Sequence, residues 1–244
     1  MRYINNYGIV AMELNLPFVK ETRFGDWFLN TNVWKIRVLD RALNDLEKLI
    51  GEHNTKFAHI LDVGCGFGHS FDALSKRFHP DLIVGLDADP ALDKRAGRAA
   101  QKCTSPVKLH AANASRIVGI DDASFDLVFC HQTFHHIVDQ EAAMAEFFRV
   151  LKPGGLLLFA ESTKRYIYTP QIKYLFRHPM HVQKTAEEYV EVIRQAGFDL
   201  PDTKISLPFL WWSRPDCGMF EFFGFPVPKK REETLVNAVA VKPL

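Results

Sequence analysis

Leu61-Asp62-Val63-Gly64-Cys65-Gly66-Phe67-Gly68 carries an apolar run, begun at Phe57, into a turn of alternating glycines. Behind it, Ser70 to Phe78 has helical spacing. Strand, glycine turn and helix in that order open a nucleotide-binding βα unit. Glycine lets the backbone pass close to a ligand and adopt conformations closed to other residues. The helix beyond offers free N–H groups in its first turn. A tight βα turn with no ligand uses the same residues, so the turn alone leaves both readings open.

Working outward, further apolar runs recur at Leu82 to Asp87, Val107 to His110, Phe125 to Cys130 and Leu156 to Ala160. Between them lie Pro90 to Lys102 and Gln140 to Leu151, both with helical spacing. Strands alternating with helices give right-handed βαβ crossovers and a parallel sheet. Pro90 suits the first turn of a helix with Asp89 as its N-cap. Lys152-Pro153-Gly154-Gly155 ends a helix and turns the chain into the next strand. Thr185 with Glu188 reads as a capping box for a helix that stops at Gly197. Two more strands are expected at about Thr203 to Phe209 and Thr234 to Val241, and a helix over Trp34 to Ile50 precedes the first strand.

Size and charge bound the rest. A chain of 244 residues holds one full α/β domain with decoration. Hydrophobic residues at 47% supply a large core. Lys+Arg 30 against Asp+Glu 29 leaves a net charge of +1, which argues against a nucleic-acid backbone as partner. Cys65, Cys103, Cys130 and Cys217 form no CxxC and read as free thiols. No signal pattern opens the chain and no apolar run reaches the ~18 residues that span a bilayer, so a cytoplasmic location is expected.

Asp87 stands 19 residues past Gly68, at the end of the second run. An acid there accepts both hydroxyls of a ribose, or it caps a helix. A dinucleotide site wants G-x-G-x-x-G; here the third glycine comes one residue early. Asp62 adds a carboxylate beside the loop, which suits an amino group or a sulfonium and is unwelcome beside a pyrophosphate. Both features count against a nicotinamide dehydrogenase.

LDVGCGFG (61–68), LIVGLDAD (82–89), AANAS (111–115), SFDLVFCHQTFHHI (124–137) and RVLKPGGLLLFAE (149–161) follow in one order. In these motifs the chain resembles the class I S-adenosylmethionine-dependent methyltransferases, most nearly their type 11, ubiquinone-biosynthesis-like branch. The resemblance covers about Phe57 to Glu161, with an echo at Ala196 to Phe198. It implies a Rossmann-like three-layer α/β sandwich whose seven-stranded, mostly parallel sheet has an antiparallel last strand. It implies S-adenosyl-L-methionine as cofactor and S-adenosyl-L-homocysteine as product. It further implies that Asp62, Gly64, Cys65, Gly66 and Gly68 hold the methionine part and Asp87 the ribose. Ala88, Asn113 and Ala114 would meet the adenine, and Cys130 and His131 would flank the methionine end. Many members carry Asp at the place of Asn113, whose amide oxygen still accepts a hydrogen bond.

Methyl transfer is an in-line displacement, so alignment and exclusion of water are the enzyme's main tasks. An oxygen or carbon nucleophile also needs a proton removed, and His131, at the strand's carboxyl end, is the candidate base. The H-x-x-x-H-H spacing of His131, His135 and His136 could place two imidazoles on one helical face, but no carboxylate or cysteine partner is spaced to complete a metal site, so none is expected.

Ligands of this topology bind at the carboxyl ends of the strands. Three aromatic segments should overhang that edge. We expect residues 1–56 to form a helical cap and residues 57–244 the cofactor-binding domain, with aromatic lids at about 161–184 and 210–232. Trp27, Trp34, His135, Arg165, Tyr168, Trp211 and Phe222 are the candidate substrate contacts, around a pocket for a small hydrophobic or aromatic molecule. The same aromatics also fit a satellite core beneath long loops, and the stretch Trp211 to Phe225 also fits a face that touches a membrane to reach a lipid or quinone. A non-catalytic cofactor-binding partner subunit would carry the same motifs. A nucleic-acid methyltransferase is disfavoured further because the fourth strand ends in CHQT, with no N/D-P-P-Y/W/F motif. Oligomeric state is not written in the sequence.

Overall fold

The computed structural model describes residues 21–51 and 56–244; the first part of the expected cap lies outside these residues. Seven strands form one sheet: β1 (His59–Val63), β2 (Leu82–Asp87), β3 (Val107–Ala111), β4 (Phe125–His131), β5 (Leu151–Ser162), β6 (Ile205–Ser206) and β7 (Leu235–Val241). Their order is β3-β2-β1-β4-β5-β7-β6. The first five are parallel, and β7 runs antiparallel between β5 and β6. This is the expected Rossmann-like sandwich with its antiparallel last strand.

Strand alternation sends neighbouring residues to opposite faces, and both faces are covered. Ile60, Ile83, Leu127 and Leu158 pack with Leu43 and Leu46 of α3 (Asp40–Ile50), Phe71 and Leu74 of α4 (His69–Phe78), and Leu92 and Ala96 of α5 (Leu92–Lys102). Leu61, Val84, Val128 and Phe159 pack on the other side with Met144 and Phe147 of α6 (Gln140–Val150), and Tyr189 and Ile193 of α9 (Ala186–Gln195). Each fully buried Leu, Ile, Val, Met or Phe among them contributes about 1.5–3 kcal/mol. The capping box forms: Glu188 N donates to Thr185 Oγ1 at 3.2 Å and Thr185 N to Glu188 Oε2 at 2.7 Å.

Four boundaries differ from the sequence reading, each for a local reason. β5 starts five residues early, because Leu151 pairs with Phe125 ahead of a bulge and Gly154 N donates to Lys242 O at 2.8 Å. β6 keeps only two residues; a 3₁₀ turn at Asp202–Lys204 replaces its start, and Pro208, lacking an N–H, lies beyond its end. α5 begins at Leu92, since Asp89 turns its carboxylate onto Ala91 N at 2.8 Å and onto Arg95 at 2.8 Å instead of capping the helix. The expected helix at 34–50 is α2 (Asn32–Trp34), a π segment Lys35–Leu39 and α3. The wider π turn changes the facing of residues along the helix: Leu39, Leu43 and Leu46 enter the core while Trp34 and Arg37 line a cavity at the sheet edge.

α1 (Arg23–Leu29) lies ahead of this helix, and the short helices α7 (Lys164–Ile167) and α8 (Pro170–Leu175) follow β5. α10 (Met219–Phe222) sits between β6 and β7. No helix among the described residues is long and apolar enough to cross a membrane.

Candidate functional site

The sheet reverses its winding between β1 and β4, and open α/β sheets bind ligands at the carboxyl ends of strands flanking that point. The loops after these two strands meet there: Thr133 Oγ1 donates to Gly64 O at 3.3 Å. Gly64, Gly66 and Gly68 all hold positive φ, at 70°, 53° and 73°. Gly64 N and Cys65 N donate to Leu86 O at 2.7 and 3.1 Å, which ties the loop to β2. Asp87 completes the cradle, accepting from Gly66 N and from Asp89 N at 2.9 Å each.

A cavity of about 350 Å³ opens over this cradle. Gly64, Gly66, Asp87, Ala88, Asn113 and Ala114 line it, as do Gln132, Thr133 and His136. A second cavity, of about 300 Å³, adjoins it. Its wall is aromatic and aliphatic, with Phe24, Phe28, Trp34, Tyr166, Phe176, Trp211 and Trp212. Glu21, Leu29, Gln132 and His136 line both cavities. Each volume lies at the small end of the ~300–1,000 Å³ usual for small-molecule sites.

The elements over the opening are pinned to the domain. On α1, Asp26 meets Arg95 at 3.2 Å. Just beyond α1, Asn30 Oδ1 meets His69 Nε2 at 3.1 Å. Thr22 Oγ1 donates to Leu175 O at 2.6 Å, joining the start of α1 to the end of α8. Both overhanging segments therefore contribute to one roof.

Several sequence candidates stand behind the cavities. Asp62 is buried and accepts from Ser70 Oγ; burial pushes its carboxyl up to about 7. Burial also raises the carboxyl of Asp87, against the pull of its backbone donors. Cys65 points into the core under β2, and Gly68 packs against Phe71. Cys130 is fully buried with its Sγ toward Glu161 at 3.7 Å. Asn113 Oδ1 accepts from Ser115 N at 2.9 Å, so the amide oxygen foreseen for the adenine closes a turn.

His131 needs correction as a base. It lines neither cavity; its ring stacks on Phe129 at 5.8 Å and meets the Trp34 edge at 5.6 Å. Burial pulls it down to about 3, too weak to draw a proton near neutral pH. The next residue takes its place at the strand end. Gln132 turns with φ 50°, accepts from Ser162 Oγ at 2.5 Å and faces both cavities.

Among the substrate candidates, Trp34, His135 and Trp211 line the second cavity. Four do not. Trp27 is 62% exposed on the outside of α1, against Phe24. Phe222 is 81% exposed and touches Phe223. Tyr168 turns its hydroxyl to Met180 O at 3.1 Å, and Arg165 reaches toward Glu232 at 3.8 Å. A short helix shows only one face to a cavity, which residue type alone does not specify. Arg37, the cation that does line the second cavity, was hidden by the π turn.

The methyltransferase domain family matches residues 61–159. An S-adenosyl-L-methionine-dependent Diels-Alderase of Talaromyces variabilis is 33% identical over 159 residues, covering 63% of this chain and 53% of its own length. A ubiquinone biosynthesis O-methyltransferase of Coxiella burnetii is 29% identical over 143 residues, 57% of this chain and 58% of its own. The chain thus spans about half the length of these curated relatives. A Haloferax volcanii methyltransferase, solved in complex with the Trm112 methyltransferase activator, shares the fold with a TM-score of 0.66 at 21% identity, over 91% of this chain and 96% of its own. S-adenosylmethionine is the cofactor that goes with this family, and the positive-φ cradle with a carboxylate at the second strand end fits its nucleoside. Over residues 61–159 the chain is similar to the methyltransferase domain family, and the seven-stranded sheet built around them carries the fold of these methyltransferase structures.

Proposed function

We propose that the chain transfers a methyl group from S-adenosylmethionine to a small, apolar or aromatic molecule held in the second cavity. The observation that carries this reading is the adjacency of the two cavities through Gln132 and His136, one over the glycine cradle and the other walled by rings. Bound S-adenosylmethionine supplies an activated methyl on a sulfonium. The bare backbone at Gly64 and Gly66 lets the cofactor approach, and Asp87 receives the ribose hydroxyls. Ala88, Ala112 and Ala114 flank the adenine, and Asp62 gives the negative charge that a sulfonium or ammonium needs behind the loop. The aromatic wall aligns the acceptor and keeps water out.

The test is calorimetry with S-adenosylhomocysteine, followed by transfer of labelled methyl to a panel of phenols, quinols and apolar amines. Micromolar binding and labelled product are expected. Asp87→Ala should weaken binding at least about tenfold, because hydrogen bonds to a charged group contribute ~1.5–3 kcal/mol. Binding without transfer to any acceptor would favour a non-catalytic subunit or a cofactor-dependent enzyme of another reaction. No binding by folded protein would overturn the proposal.

Asp62 makes cofactor binding pH-dependent. Its carboxyl is protonated below about 7 in the free protein, and the cationic cofactor favours the ionised form. S-adenosylmethionine affinity should therefore rise with pH up to about 7 and then level off. Binding at pH 6 should release protons, read from calorimetry in buffers of different ionisation enthalpy. Free-protein stability should move oppositely. The folded chain holds this proton between the ordinary carboxyl value of 3.8 and about 7, where the unfolded chain does not, so the Asp62 contribution falls across that window. A pH-independent affinity would detach Asp62 from the cofactor.

A further inference from the structure

His135, His136 and His178 come together where the two cavities meet. Their rings lie 4.3 Å (His135–His136), 4.8 Å (His136–His178) and 5.1 Å (His135–His178) apart. One ring nitrogen from each lies within 4.8 Å of those of the other two. His178 lies just past α8 and is 42 residues from His136 in sequence, which is why no metal spacing shows along the chain.

Two details distinguish the cluster from ring packing alone. His135 Nδ1 lies 2.6 Å from Glu161 Oε2, and Glu161 is fully buried. With the proton on Nδ1, that contact fixes the ring and leaves Nε2 with a free lone pair, the usual carboxylate–histidine arrangement behind a metal. His178 Nδ1 is buried without a hydrogen-bond partner among the described residues. Such a nitrogen normally finds one.

We propose that His135, His136 and His178 bind one divalent transition-metal ion of the zinc class, with an open position facing the second cavity. Three neutral imidazoles suit zinc, and three protein ligands leave a fourth place for water or a ligand atom. Zn–N bonds of about 2.0–2.1 Å put ring nitrogens about 3.4 Å apart in a tetrahedral site, so the rings draw inward on loading. All three residues line the second cavity and His136 also lines the first. On the reading of that cavity as the acceptor site, the ion would hold an oxygen or nitrogen of the acceptor beside the methyl donor. The acceptor class then narrows to molecules with such an atom next to an aromatic or apolar body.

The experiment titrates the chelator-treated full chain with Co²⁺ and Zn²⁺, reading the visible bands of four-coordinate cobalt and competition with a chromophoric chelator. S-adenosylhomocysteine binding is measured on the same samples. One equivalent per chain is expected, with His178→Ala lowering zinc affinity at least about tenfold. His181→Ala, outside the cluster, should leave it unchanged. His178→Gln serves as a second variant should the alanine form fail to fold. Absence of stoichiometric uptake by folded wild-type chain overturns the metal site, as does uptake unaffected by the His178 changes. Intact S-adenosylhomocysteine binding in those cases leaves the methyl-transfer reading standing. Loss of that binding in wild-type chain would overturn the methyl-transfer reading instead.

Discussion

Gly64→Ala is expected to weaken S-adenosylhomocysteine binding about 30-fold, a change of ~2 kcal/mol. Two effects add. Gly64 holds φ 70°, where a Cβ costs about 1–2 kcal/mol. That Cβ would also fall inside the contact radius of Thr133 Cγ2 and Oγ1. Thr133 cannot swing aside freely: it is β-branched, and its single Oγ1 proton is shared between Gly64 O at 3.3 Å and His131 O at 3.1 Å. The loop itself must then move, and movement strains the bonds from Gly64 N to Leu86 O at 2.7 Å and from Gly66 N to Asp87 at 2.9 Å. Asp87 thereby loses the orientation its ligand needs.

The double variant Gly64→Ala/Thr133→Ala separates the two effects. It removes the collision and keeps the backbone strain, so it should recover part of the affinity and leave a residual loss of about tenfold. Calorimetric Kd values for the four proteins of this cycle are the measurement. Unchanged affinity in Gly64→Ala would mean that the cofactor does not use this turn. An equal loss in single and double variants would assign the effect to φ alone.

The glycine turn was legible because its chemistry is local. Backbone conformation, strand end and helix start all fall within Leu61 to Phe78; β1, α4 and the β2 that follows appear within two residues of their expected limits. Asp87 was legible for the same reason, being fixed by the end of its own strand. The second cavity was readable in composition but not in detail. Its lining depends on which way short helices face, and that is set by long-range packing. Trp27 and Trp34 illustrate the difference, one outside α1 and the other turned inward beside a π segment that shifts the helical phase. Gln132 gave no signal, because its exposure to both cavities follows from a left-handed backbone just past the end of β4. The position of His178 against His135 and His136 was invisible for another reason: three-dimensional proximity joins residues from two segments with no regular spacing.

Glu161→Ala should cost about 3–5 kcal/mol of stability, the loss expected when one partner of a buried charged network is removed. Its carboxylate has no exposed surface and is spoken for on both oxygens. Oε1 accepts from Thr133 N and Phe134 N, each at 2.7 Å, and Oε2 meets His135 Nδ1 at 2.6 Å. Alanine leaves two backbone N–H groups and an imidazole without partners, each costing ~1–3 kcal/mol when buried, and opens a void beneath the 3₁₀ turn Phe134–His136. Glu161→Gln should cost roughly half as much. Its carbonyl oxygen keeps the two backbone donors, and its amino group suits His135 only if that ring moves its proton to Nε2. That tautomer puts the lone pair on Nδ1 and takes it from Nε2, so the glutamine form should remain folded yet lose zinc affinity. Urea midpoints at pH 7 measure the first effect, and cobalt titration of the folded glutamine variant measures the second. An unchanged midpoint in Glu161→Ala would show that the loop after β4 is held by packing of Phe134 against Phe147, Phe159 and Tyr189 rather than by the carboxylate. Full stability with intact cobalt uptake in Glu161→Gln would remove Glu161 from the ordering of His135, and the orienting contact behind the proposed ion with it.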